Sequence, residues 1–66
     1  MKVFVNGELR EVNETSTLAE LVEQLDLPVA RIAIELNREV VRRSKWGSTM
    51  LNDEDRIEIV HFVGGG

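Results

Sequence analysis

The sequence predicts an α+β domain in two layers, one helix laid on one face of a mixed four- to five-stranded sheet. Three observations carry this expectation. Residues Met1 to Val5 alternate in side-chain character and run straight into Asn6-Gly7, the pair that a tight hairpin turn favours. One amphipathic stretch, Thr17 to Leu25, opens on a capping signature. Two further alternating runs, Ile32 to Leu36 and Arg56 to Val60, supply strands after it.

In the first run Met1, Val3 and Val5 share one face and Lys2 and Phe4 the other, the period of a strand with one buried side. A type I′ turn needs positive φ at both central positions, which Asn and Gly tolerate, so Glu8 to Val12 is expected to return antiparallel. Its apolar residues, Leu9 and Val12, are out of step, which suggests a bulge. Thr17-Leu18-Ala19-Glu20 reads as a capping box: the Thr17 hydroxyl accepts a first-turn N–H, and the Glu20 carboxylate reaches back to the cap residue. Leu18, Leu21, Val22 and Leu25 then form one stripe, while Glu20, Glu23 and Gln24 face away. About nine residues is too short a helix to persist alone, so it must lie on the sheet, and Pro28 is expected to stop it.

Asn37-Arg38-Glu39 turns the third strand into Val40-Val41. Arg42 to Met50 has no clean period and is expected to hold a single helical turn near Ser44 to Trp46. Asn52-Asp53-Glu54-Asp55 is a polar turn into the last strand, where Ile57 and Ile59 face one way and Glu58, Val60 and Phe62 the other. The expected core is Val3, Val5, Leu18, Leu21, Val22, Leu25, Ile32, Ile34, Leu36, Leu51, Ile57 and Ile59. Phe4, Val60 and Phe62 are then left on the uncovered face, where an apolar patch usually meets a partner.

Composition narrows the function. At 66 residues the chain is expected to be one domain, residues 1–66, with one small core. With no cysteine there is no disulfide, no thiolate metal site and no thiol nucleophile. The net charge of −4 argues against nucleic acid and points to partners with a basic surface. No apolar run approaches the roughly 18 residues of a membrane span, and no signal-like stretch opens the chain, so a cytoplasmic protein without membrane contact is expected.

The last strand runs through Val63 into Gly64-Gly65-Gly66. Three glycines pack poorly and suit a narrow site on another protein. Extended at about 3.3 to 3.6 Å per residue, Val63 to Gly66 would carry the terminal carboxylate roughly 13 Å beyond the folded body. The other conspicuous residues have plainer readings. His61, with no Ser or Cys partner, reads as a strand residue rather than a general base. Trp46 covers the edge of the core, and Arg42, Arg43 and Lys45 form a solvated cationic face. Asp53, Glu54 and Asp55 match no calcium-loop spacing and read as a turn, with no metal.

Val5-Asn6-Gly7-Glu8, Thr17-Leu18-Ala19-Glu20-Leu21, Leu36-Asn37, Val41 with Arg43-Ser44 and Trp46, Asp55 to Val60, and Val63-Gly64-Gly65-Gly66 together resemble the bacterial sulfur carriers of the ThiS/MoaD family, and most closely the thiamine-pathway members. The resemblance spans the whole chain and implies a ubiquitin-like β-grasp fold. It departs at Glu54, where the family usually has Gly, and at Arg42, where it often has Pro. It implies a carrier, not an enzyme, with no cofactor of its own. A ThiF-like adenylating enzyme, using ATP and Mg²⁺, would activate the Gly66 carboxylate. A sulfur-donating enzyme would convert it to a thiocarboxylate, and thiazole synthase would take the sulfur. Docking would use Phe4, Val60, Phe62 and Val63. A small subunit of molybdopterin synthase, another thiocarboxylate carrier, and an interaction module with inert glycines remain alternatives.

Overall fold

The computed structural model describes residues 1–62. Strand β1 (Lys2–Val5) and strand β2 (Glu8–Glu11) form the expected hairpin, with Asn6 at φ 49° and Gly7 at φ 83°. Pairing is continuous from Val5 opposite Glu8 to Lys2 opposite Glu11, so β2 has no bulge. Leu9 and Val12 are out of step for another reason. Leu9 is 55% exposed, across from Phe4 on the outer face, while Val12 lies past the strand and is buried.

Helix α1 (Leu18–Gln24) begins on the capping box: Thr17 Oγ1 accepts from Glu20 N at 3.2 Å, and Glu20 Oε1 accepts from Thr17 N at 2.8 Å. Its end differs from expectation, because the helix stops well before Pro28. Asp26 takes φ 55°, its N–H donates to Glu23 O at 3.0 Å, and Leu27 N–H donates to Val22 O at 3.3 Å. That is a Schellman closure with Asp in the position Gly usually fills. Pro28 instead precedes a 3₁₀ turn, Val29–Arg31, which feeds strand β3 (Ile32–Leu36).

Asn37 and Arg38, both at positive φ, fold β3 back into strand β4 (Glu39–Val41). A 3₁₀ helix, Arg43–Ser48, follows, longer than the single turn expected. It carries Trp46 into the interior, where the ring is 3% exposed and Nε1 donates to Val41 O at 2.9 Å. Trp46 is therefore a core residue rather than an edge cover. Strand β5 (Arg56–His61) completes a five-stranded sheet in the order β2-β1-β5-β3-β4. β5 is parallel to β1 and antiparallel to β3, so the last strand in sequence is the central one. This is the arrangement implied by the β-grasp resemblance.

The core lies between the inner sheet face and the layer formed by α1 and Trp46. Of the expected core, Leu25 and Leu36 are only partly buried, whereas Val12 and Trp46 join it. Among the described residues, no helix is long and apolar enough to cross a membrane.

Candidate functional site

Each candidate residue depends on β5, which is fixed first by its backbone neighbours. Phe4 N donates to Asp55 O and Asn6 N to Ile57 O, each at 2.8 Å, while Asn37 N donates to Arg56 O at 2.7 Å. β1 ends at its turn, so beyond Ile57 it has no further residue to offer. The side chain of Asn6 fills that gap: Oδ1 accepts from Ile59 N at 2.7 Å, and Nδ2 donates to Ile59 O at 3.2 Å. Asn6 thus supplies both the positive φ of the turn and a substitute for the missing strand partner.

The polar turn before β5 is a clamp. Asp55 is 7% exposed; its Oδ1 accepts from Asn37 Nδ2 at 2.9 Å and its Oδ2 from Asn52 N at 2.7 Å. Asn37 Oδ1 accepts in turn from Arg56 N at 2.9 Å. Asp53 Oδ1 accepts from Lys2 N at 2.8 Å, and Glu54 N donates to Lys2 O at 2.6 Å. Glu54 adopts φ 68°, so the turn keeps a left-handed residue although it is not Gly. Among the described residues, no group of three or more His, Asp or Glu is gathered as a metal would need.

The exit end of β5 has a different character. Val60, opposite Ala33, is 54% exposed, and Phe62 is 58% exposed, with its N–H donating to Arg31 O at 2.7 Å. Phe4 shares the outer face with Val60 but lies far from it along the strand. It lies beside Arg56, whose guanidinium sits 4.8 Å from the ring centroid. Four strand steps lead from Arg56 to Val60, roughly 13 Å at the usual rise. The expected cluster is therefore two patches, Phe4 with Leu9 near the start of β5 and Val60 with Phe62 near its end. Val63, Gly64, Gly65 and Gly66 lie outside the described residues. His61 pairs with Ile32 in the β3–β5 ladder and is exposed, with no nucleophile among its pairing partners.

Sequence reasoning missed a notch beside Phe62. β4 stops opposite Ile34, leaving Ile32 and Ala33 without a neighbour on that side. The space is a cavity of about 180 Å³ with Ile32, Ile34, Val41 and Trp46 among its lining, and Arg42, Arg43 and Phe62 also border it. That β4 leaves the start of β3 unpaired depends on register, which the sequence pattern does not show. A larger cavity, about 430 Å³, lies between α1 and the two 3₁₀ segments; neither Val60 nor Phe62 lines it.

A family model described as the ThiS family matches residues 3–66. A thiazole synthase from Magnetococcus marinus is 39% identical over the whole of this chain, which spans about 20% of that protein's length. The sulfur carrier protein ThiS of Bacillus subtilis is 35% identical, with 94% of this chain and 96% of that protein covered. The crystal structure of the thiamine biosynthesis protein ThiS from Geobacter metallireducens superposes over 100% of both chains with a TM-score of 0.87 at 33% identity. These matches run through both hairpins, the capped helix and the central last strand, so the fold is the ubiquitin-like β-grasp and the chain belongs to the ThiS family.

Proposed function

We propose that this chain is a sulfur carrier whose last residue, Gly66, is activated and then converted to a thiocarboxylate that supplies sulfur for thiazole formation. The observation that supports it most is the placement of β5: a central strand, clamped at its start, whose far end delivers exposed Val60 and Phe62 just before the glycines.

A carboxylate is a poor electrophile, so exchange of its oxygen requires a leaving group. In this reading a ThiF-like enzyme, holding ATP and Mg²⁺, lets a Gly66 oxygen attack the α-phosphorus and release pyrophosphate. Sulfur delivered by a donor enzyme then attacks the acyl carbon, and AMP departs. Without a Cβ at Gly66, that carbon is open from both faces. The chain contributes no acid or base; it contributes reach, shape and docking. Val60 and Phe62 form the main contact, Phe4 with Leu9 a second, and Val63 the passage into the partner. The free carrier is a monomer working in the cytoplasm.

That thiazole synthase relatives contain the equivalent of this whole chain supports thiazole synthase as the acceptor over a molybdopterin synthase. The test is intact-mass analysis after incubation with ATP, a ThiF-like enzyme and a sulfur donor. The expected product is heavier by the difference between sulfur and oxygen, with the change on the C-terminal peptide. An unchanged mass with enzymes that charge the Bacillus subtilis ThiS would refute the carrier reading.

A further inference from the structure

The net charge of −4 hides a segregation. Residues 29–50 hold Arg31, Arg38, Arg42, Arg43 and Lys45 against Glu35 and Glu39, a surplus of three positive charges. The rest of the chain holds Lys2, Arg10 and Arg56 against ten carboxylates, a deficit of seven. The sheet order places the first group at one edge, in β3, β4 and the following 3₁₀ helix, and the hairpin β1–β2, where Lys2 and Arg10 balance Glu8 and Glu11, at the other; most of the carboxylates lie outside both, on and around α1 and in the turn before β5.

Phe62, the last described residue, is on the cationic side. Its N–H is bonded to Arg31 O, and it borders the same notch as Arg42 and Arg43. Among the described residues, the side-chain hydrogen bond that this pair makes runs from Arg43 Nη1 to a carbonyl, Val29 O at 3.4 Å, rather than to a carboxylate. Glu39 lies further along the edge, bordering a neighbouring cavity with Arg42 and Lys45. The notch thus has an apolar floor and, at its rim, two guanidinium groups that make no hydrogen bond to a carboxylate among the described residues. Its dimensions admit a side chain rather than a cofactor, and planar guanidinium groups favour carboxylate.

We propose that this notch seats an acidic side chain on the protein that receives the tail. The cations beside the exit, and not the net negative charge, then steer docking. The inference rests on the carrier reading only for the identity of that protein. Opposite charge at the mouth of the receiving site raises the encounter rate and turns the exit toward it. The expectation from composition, a partner with a basic surface, is reversed at this edge.

The test has two arms. In the first, the ¹⁵N-labelled chain is titrated with capped hexaglutamate at low ionic strength. Amide shifts are expected at Ala30, Val40, Val41, Arg42, Arg43 and Phe62, and they should vanish in R42E/R43E and on adding salt. Shifts elsewhere only, no shifts, or shifts that survive the reversal would overturn the proposal. Because Arg43 also holds Val29 O, Arg42→Glu alone is included and should weaken the shifts without altering the fold. In the second arm, association with a ThiF-like enzyme is timed. R42E/R43E should bind about tenfold more slowly at low salt, with the gap closing as salt rises, whereas E11K/E14K on the opposite edge should not slow it. A reversed pair that binds as fast as the original would also overturn it. If the first arm succeeds while no ThiF-like enzyme binds or charges the chain, the carrier reading fails and the carboxylate seat stands.

Discussion

At its first residues β5 has a strand on each side, a buried aspartate behind it and the Asn37 side chain bonded to it, and the Asn6 side chain extends that hold to Ile59. At its last residues it has β3 alone, two large exposed apolar side chains and an open notch. The difference separates two tasks within six residues: one end holds the strand in place, and the other presents it. Polar groups do the holding because each buried donor or acceptor must find a specific partner, which fixes register. On the proposed function, apolar groups do the presenting, because their burial is non-directional and is gained only when a partner arrives.

Substitutions at the two ends test that division. The largest loss of stability is expected from Asp55→Ala, about 3 kcal/mol by urea unfolding, since it strands Asn37 Nδ2 and Asn52 N. Asn6→Ala follows at about 2 kcal/mol, because both Ile59 backbone groups lose their partner and Ala tolerates positive φ poorly. Asn6→Asp keeps the acceptor and loses the donor, so it should fall between Asn6→Ala and the original chain. At the other end, Phe62→Ser should slow charging about tenfold while moving stability by no more than about 0.5 kcal/mol. A Phe62→Ser chain that unfolds early would erase the distinction between the ends. The smallest effect is a gain: Glu54→Gly should raise stability by up to about 1 kcal/mol, as a left-handed position is relieved of its Cβ.

Local chemistry made much of this legible beforehand. Asn6-Gly7 implied the first turn and Thr17 to Glu20 the helix start, because both signals act between near neighbours in sequence. Local features without a sequence signal, and features that depend on distant segments, were not legible. Pro28 drew attention as the helix stop, yet Asp26 closes the helix through backbone bonds that Asp does not advertise. Trp46 and Val12 lie outside any periodic run, and only the packing of α1 on the sheet shows that both are buried. At the candidate site, alternation correctly placed Phe4 and Val60 on the outer face, whereas Phe62 lies one residue past the paired part of β5. Their separation required the register of β1 on β5, which is set by residues more than 50 apart. The cations at the exit were visible as a cluster; their closeness to Phe62 depends on β3 lying next to β5.

The central position of β5 also constrains the order of folding. Until residues 56–61 are available, the hairpins β1–β2 and β3–β4 each leave one inner edge unpaired, and loop closure between them has nothing to gain. A chain cut short before this strand therefore has two open strand edges as templates for aggregation and lacks the core residues Ile57 and Ile59. Chains cut before β5 would thus lose the stable body together with the tail that the proposed function requires.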